Sequence, residues 1–219
     1  MSLDYDAVVF DLDGTLIDSA PGLQIALAQA MACHSLPEPS LSETIRFIGS
    51  GVPMLVTRAL DWADAAQDRH ADVLASFREI YDADPVRGTT VYDGVPEMLR
   101  RLNGMGLRLA ICTNKPAAPA RDVVSRLKLG PFETIMGGDS LPVRKPDPAP
   151  LLHAIEQLGV ERSRTLYVGD SVVDWHTARA AEIDYGHVRG GYQTAPIPGL
   201  AATLSLERVA DLPERLVSD

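Results

Sequence analysis

The stretch VVFDLDGTLIDS, from Val8 to Ser19, ends an apolar run in two aspartates, Asp11 and Asp13, followed at once by Gly14 and Thr15. In an extended chain, residues two apart point to the same side. Two like charges are therefore held close together unless the backbone turns or a cation sits between them. An ordinary solvated turn uses the same residue types, so the rest of the chain has to decide. LAICTN presents Thr113 and Asn114, VRKPDP presents Lys145, and LYVGDSVVD presents Asp170 and, one helical turn later, Asp174. Singly, each has a plain explanation as a helix cap, a solvated charge or a turn residue. Together they form a set of carboxylates, one hydroxyl and one lysine suited to holding a divalent cation and an anion jointly. Mg²⁺ takes oxygen ligands and uses few carboxylates, its shell being completed by waters and phosphate oxygens. A phosphoryl group between Mg²⁺, Lys145 and the Thr113 hydroxyl has its charge neutralised from several sides. One carboxylate then remains to attack phosphorus and another to move protons.

These residues are useful only if the fold brings them to one place. Ala7–Phe10, LRLAICT, FETIMGG, RTLYVGD and IDYGHVRGG read as strands, each short and apolar, separated by helical patterns such as VPEMLRRLNGMG and SVVDWHTARAAE. In PDPAPLLHAIEQLG, Asp147 is placed to cap the helix and Pro148 suits its first turn. Strands alternating with helices imply a Rossmann-like parallel sheet with right-handed crossovers, an α/β core. Ligands in such sheets bind beyond the carboxyl ends of the strands, where all the polar residues above fall. Between the first strand and the rest lies a different pattern. Leu23, Ala26, Leu27, Ala30 and Met31 share one helical face, Leu55, Val56, Ala59, Leu60 and Ala63 a second, and Val73, Leu74, Phe77, Ile80 and Tyr81 a third. No convincing strand is read from about Asp18 to Val86. The expected organisation is core over 1–16, an inserted all-helical cap over 17–86, and core again over 87–219, with one strand and a short helix in the tail after Gly191.

The chain has 219 residues, 46% hydrophobic and 23% charged, with 20 basic and 30 acidic side chains and a net charge of −10. That balance argues against a nucleic-acid or anionic-membrane surface. An anionic substrate remains compatible, because a bound metal reverses the field inside a pocket. No apolar run approaches a membrane span, and the acidic start MSLDYD lacks the basic-then-apolar pattern of a signal peptide. Cys33 and Cys112 are isolated and read as reduced, partly buried thiols of a cytoplasmic protein. The five histidines show no metal-ligand spacing, and Trp62 and Trp175 read as packing residues.

DLDGTLIDS, CTN, RKPDP and GDSVVD, in this order, resemble the four motifs of the haloacid dehalogenase-like phosphohydrolases, and the resemblance covers nearly the whole chain. It implies that Asp11 is the nucleophile and becomes an aspartyl-phosphate. Asp13 would protonate the leaving oxygen and later deprotonate the water that hydrolyses the intermediate. Mg²⁺ would be held by Asp11, the backbone carbonyl of Asp13, and Asp170, with Asp174 as ligand or support. Thr113, Asn114 and Lys145 would hold the phosphoryl group, and Pro146 restricts the backbone of Lys145. An Asp at position 13 reads as phosphate-ester chemistry, since dehalogenases and phosphonoacetaldehyde hydrolases do not carry it there.

DSAPGL, FIGSGVPMLVTRAL and GGDSLPVRKPDP are similar to the phosphoglycolate phosphatase branch, which implies a small anionic phosphate ester as partner. Within the cap, Arg46 and the turn Gly49-Ser50-Gly51 are candidates to bind the substrate carboxylate, although the turn equally serves to join two helices. Rival readings are a sugar-phosphate phosphatase, a pyrophosphatase or a β-phosphoglucomutase-like mutase. Outside enzymes they are a phospho-signalling receiver or a phosphate-binding protein without turnover. One departure from the usual pattern stands at ARAAEIDYG, where Glu182 and Ile183 occupy positions at which a glycine commonly follows the alanine-rich helix.

Overall fold

The computed structural model describes residues 4–193 and 195–217, so the first three residues of MSLDYD lie outside it. The first strand, β1 (Ala7–Phe10), is apolar at every position because both of its faces are covered: Val8 and Phe10 enter one core layer, Ala7 and Val9 the other. The chain then runs through β2 (Ile17–Asp18), α1 (Ala20–Cys33), α2 (Leu41–Phe47), α3 (Val52–Trp62) and α4 (His70–Ala83). It returns through β3 (Thr90–Val91), which pairs antiparallel with β2. From there α5 (Val95–Gly104), β4 (Arg108–Cys112), α6 (Ala117–Arg126), β5 (Thr134–Met136), α7 (Ala149–Leu158) and β6 (Thr165–Gly169) alternate. They are followed by α8 (Val172–Ala181), β7 (Asp184–Val188), β8 (Leu204–Leu206) and α9 (Leu212–Arg215).

The strands other than β2 and β3 form one parallel sheet in the order β5-β4-β1-β6-β7-β8. β1 lies at its centre, with Val9 opposite Ala110 on one side and Tyr167 on the other. Helices α5, α6 and α9 cover one face through Leu99, Val123 and Leu212, and α7 and α8 cover the other through Leu151, Ile155 and Trp175. This is the α/β architecture that the alternating pattern implies.

Helices α1 to α4 bury a core of their own, containing Leu23, Leu27 and Met31 of α1, Leu55 and Leu60 of α3, and Val73, Phe77 and Tyr81 of α4. Helix α2 adds Phe47 to it and is started by a reciprocal cap, Ser40 with Glu43, that the prolines of SLPEPS obscure in the sequence. The pair β2–β3 is too short to show a period, and it corrects the all-helix reading at Asp18. Asp147 lies one residue outside the start of α7, where Pro148 is the cap. Its Oδ1 accepts the N–H of Ala149 at 2.9 Å. Cys112 is buried, whereas Cys33, at the last residue of α1, is exposed rather than partly buried.

Candidate active site

Asp11 follows β1 directly. Its N–H donates to the carbonyl of Val168 at 2.8 Å, continuing the β1–β6 ladder to the C-terminal edge of the sheet. The chain then turns on one oxygen: the Leu12 carbonyl accepts the N–H groups of Thr15, Leu16 and Ile17 at 3.3, 2.9 and 3.2 Å. Gly14 makes this turn with φ +86°, and a Cβ there would stand 2.7 Å from Asp170 Oδ2. Both the dihedral and the space require glycine. The two aspartates thus leave the strand on a tight loop packed against the end of β6.

Lys145 reaches the same place from the loop after β5. Its Nζ donates to Asp174 Oδ1 at 2.7 Å and to the Tyr167 hydroxyl at 2.8 Å, and lies 2.9 Å from Asp11 Oδ1. Asp174 is fully buried and its lone pairs are occupied. Oδ1 accepts from Lys145 and Tyr167, Oδ2 from the Ser171 N–H and hydroxyl at 3.1 and 2.6 Å. Asp170 is less committed, accepting one bond on each oxygen, from the Thr15 hydroxyl at 3.0 Å and the Tyr192 N–H at 2.7 Å. Asp11 Oδ1 is buried without an aligned hydrogen bond, despite the nearby ammonium.

A second buried cation serves Asp13. Lys115 Nζ lies 3.0 and 3.3 Å from its two carboxylate oxygens and 5.0 Å from the centre of the Tyr81 ring on α4. The Ser19 hydroxyl donates to Asp13 Oδ1 as well. Lys115, Ser19, Tyr167 and Tyr192 escape the sequence reading. Lys115 alone had a local signal, standing two residues beyond Thr113 before a proline.

The electrostatics follow from burial. Burial, and then the charge on Asp174, push the Asp11 carboxyl up to about 7 against the pull of Lys145. Burial, Asp174 and Asp11 push Asp170 up to about 8. Burial also opposes the charge on Asp174, but Lys145 and the hydrogen bonds from Ser171 and Tyr167 outweigh it and hold that carboxyl below its ordinary value. Burial works against the ammonium of Lys145, yet the charges of Asp11 and Asp174 keep it above its ordinary value. Asp13 and Tyr81 do the same for Lys115. When all are ionised, four carboxylates face two ammoniums. Asp11, Asp170 and Asp174 offer oxygens within 4.8 Å of one another, a group able to hold a metal ion. A doubly charged cation with a preference for oxygen balances that excess and suits the open lone pairs of Asp11 and Asp170.

Thr113 and Asn114 stand where β4 ends, both buried. The Thr113 hydroxyl accepts the Lys115 N–H at 3.2 Å. The Asn114 amide donates to the carbonyls of Gly49 and Lys145, both at 3.0 Å, so it ties the α2–α3 turn to the lysine loop. Ser50 lies in that turn, its hydroxyl accepting from Arg58 at 3.1 Å while Arg58 also donates to the Phe47 carbonyl. Arg46 is exposed. Asp11 and Asp13 are shared by two cavities. One of about 440 Å³ is walled by Leu23, Val52, Phe77, Thr113 and Lys115. The other, of about 370 Å³, is walled by Arg46, Ser50, Arg58, Asp170 and Tyr192.

The model of the haloacid dehalogenase-like hydrolases matches residues 8–188, and the chain belongs to that family. Among its relatives, phosphoglycolate phosphatase of Cereibacter sphaeroides strain ATCC 17025 is 46% identical over 88% of this chain and 89% of that one. Phosphoglycolate phosphatase of Rhodospirillum rubrum is 41% identical over 94% of this chain and 88% of that one. A solved haloacid dehalogenase-like family hydrolase from Streptococcus pneumoniae shares the fold at 20% identity, with a TM-score of 0.87 over 98% of this chain and 99% of that one.

Proposed function

We propose that the chain hydrolyses 2-phosphoglycolate with Mg²⁺, through an aspartyl-phosphate on Asp11. The observation that carries the substrate is the position of Lys115, a buried ammonium 3.0 Å from Asp13 in the wall of the larger cavity. If Asp13 meets the leaving oxygen, a carboxylate on the adjoining carbon falls within reach of that ammonium. A sugar or alkyl leaving group offers it no counter-charge. The relatives named above agree with this reading.

The chemistry is divided among the residues as follows. Asp11 attacks phosphorus, and Lys145, held by Asp174 and Tyr167, neutralises the phosphoryl oxygens as they gain charge. Asp13, held by Ser19 and Lys115, gives a proton to the departing oxygen and then takes one from the water that frees Asp11. Thr113 closes the phosphoryl site from β4, and Asn114 fixes the Lys145 loop and the Gly49 turn around it. Asp11, Asp170 and the backbone carbonyl of Asp13 would hold Mg²⁺, which when bound draws charge from the phosphoryl oxygens. Asp174, whose oxygens are already filled, acts by aligning Lys145.

Helices α1 to α4 serve as a cap over 17–86 that excludes water and reads the leaving group. Arg46 and Ser50 line the second cavity and take part in that reading through the α2–α3 turn. The unpaired Cys33 and Cys112 fit placement in the cytoplasm.

Phosphate release from phosphoglycolate, a hexose phosphate, pyrophosphate and ethyl phosphate, with Mg²⁺ and with a chelator, tests the reading. The expected result is the highest kcat/KM for phosphoglycolate and none without metal. Preference for the hexose ester or pyrophosphate overturns the substrate, and metal-independent turnover overturns the mechanism.

A further inference from the structure

The start of α1 is capped in an unusual way. Ser19 is its cap residue, a type that ordinarily turns its hydroxyl onto the free N–H groups of the first helical turn. Here it makes no such bond. Of the two N–H groups that such a cap serves, one is missing because Pro21 stands there. From the far end of the chain, the phenolic oxygen of Tyr192 takes the N–H of Ser19 at 2.7 Å and, together with Asp18 Oδ1, that of Ala20 at 2.9 Å, while donating to Asp18 Oδ1 at 2.9 Å. The Ser19 backbone is thus held by Tyr192, and its hydroxyl donates to Asp13 Oδ1 rather than capping the helix.

Tyr192 is itself fixed to the opposite side of the site. Its backbone N–H donates to Asp170 Oδ2 at 2.7 Å, and its ring edge would lie 2.9 Å from a Cβ on Gly14. A Cβ on the neighbouring Gly191 would come within 2.3 Å of the Asp170 side chain, so the turn carrying Tyr192 is seated directly on that carboxylate. A continuous path therefore runs from Asp170 through the Tyr192 backbone and phenol to Ser19 and on to Asp13. It passes through the point where the helical insertion leaves the core.

We infer that Tyr192 is a positioning residue: by accepting the backbone N–H of Ser19 from the core, it holds the Ser19 hydroxyl where that hydroxyl orients Asp13 toward the leaving oxygen. The inference rests on the assignment of Asp13 as acid and base. Without the phenolic oxygen, the Ser19 N–H loses its acceptor and the backbone there is no longer held, so the Ser19 hydroxyl no longer meets Asp13 in a fixed place and Lys115 remains as its anchor. The effect is then confined to proton transfer. Bonding to Asp170 survives, because it uses the backbone of Tyr192.

The test compares Tyr192→Phe, Ser19→Ala and their double variant on 4-nitrophenyl phosphate, whose leaving group needs little protonation, and on ethyl phosphate, which needs much. Tyr192→Phe is expected to lower kcat on ethyl phosphate by roughly ten- to a hundredfold, and on the aryl ester by no more than about a third of the loss on ethyl phosphate. Mg²⁺ half-saturation should stay unchanged. Ser19→Ala, which removes only a hydroxyl, should reproduce the pattern, and the double variant should be no slower than the slower single. Equal losses on both esters, or additive losses in the double variant, overturn the inference and make Tyr192 a structural cap only. Asp13→Asn is run alongside. If it too loses both activities equally, the acid–base assignment falls and the inference with it. If it shows the leaving-group dependence and Tyr192→Phe does not, the inference alone falls.

Discussion

Lys145 Nζ stands 2.7 Å from Asp174 and 2.9 Å from Asp11, and all three groups are buried. Removing one partner of such a pair leaves a charge without solvent or counter-ion, which costs about 3–5 kcal/mol. Lys145→Met keeps most of the length of the side chain and loses the charge and donors. It should abolish turnover and destabilise the fold by an amount in that range, with Mg²⁺ restoring part of the stability but none of the activity. Denaturant titrations with and without Mg²⁺ measure this. A stable, inactive variant indifferent to the ion would mean that the carboxylates go neutral instead.

The nucleophile and the acid separate by substitution. Asp11→Asn keeps the shape of the side chain and removes the attacking charge, so purified, folded protein should show no steady-state turnover on any ester. Asp13→Asn should retain turnover reduced by roughly 10²–10⁴-fold, with the greater loss on esters with poor leaving groups. Substantial activity of Asp11→Asn would move the nucleophile elsewhere.

How far the site is legible in the sequence depends on the distance over which its parts are held. Asp11, Thr113 and Asp170 each end or directly follow a short apolar strand, and a parallel sheet whose strands are apolar on both faces delivers its strand ends to one edge. The strand pattern therefore carries both the sheet and those residues. The partners that orient them follow no period. Tyr192 meets Ser19 across 173 positions of sequence, from a tail with little pattern. Tyr167 looks like one more apolar strand residue until its hydroxyl is found between Lys145 and Asp174. Asn114 reads as a substrate ligand, and only the tertiary arrangement shows its amide joining two loops.

Protons and metal should compete at Asp11 and Asp170. Their carboxyls are raised from 3.8 to about 7 and about 8. A carboxyl raised on folding stabilises the folded state only while protonated. That contribution is complete below the ordinary value and is lost as pH rises through the raised one. In a chelator, the melting temperature should fall as pH rises from about 5 to about 9. With saturating Mg²⁺ the fall should flatten, and binding of the ion below about pH 8 should release protons to the buffer. A profile in chelator that is flat or rises over this range would contradict the shifts.

The end of α8 carries a correctable strain. Glu182 holds φ +58°, and the Ile183 N–H bonds back to the Ala178 carbonyl at 3.0 Å, a helix stop that favours glycine. The left-handed conformation costs a residue with a Cβ about 1–2 kcal/mol, and the greater freedom of unfolded glycine offsets part of that. Glu182→Gly should stabilise the protein by about 0.5–1 kcal/mol without altering kcat. A lowered midpoint in denaturant would show that the glutamate side chain contributes more than its backbone loses.

Two cations compete for the role of reading the substrate carboxylate, and their settings differ. Lys115 is buried against Asp13 and Tyr81, beside the carboxylate proposed to meet the leaving oxygen. Arg46 is exposed and lines only the second cavity, beside Ser50 and Arg58. An exposed cation contributes little, because water screens it and the long side chain must be ordered. A buried one, removed from a bound anion, costs about 1.5–3 kcal/mol for a charge-assisted bond. Lys115→Met should therefore lower kcat/KM for phosphoglycolate by roughly ten- to a hundredfold, beyond whatever it costs ethyl phosphate through Asp13. The ratio between the two esters is the quantity to read, since loss of support for Asp13 affects both. Arg46→Ala should change that ratio by less than about threefold. If instead Arg46→Ala collapses the preference and Lys115→Met leaves it intact, the carboxylate is read from the second cavity. The α2–α3 turn would then carry the selectivity, and Lys115 would serve Asp13 alone.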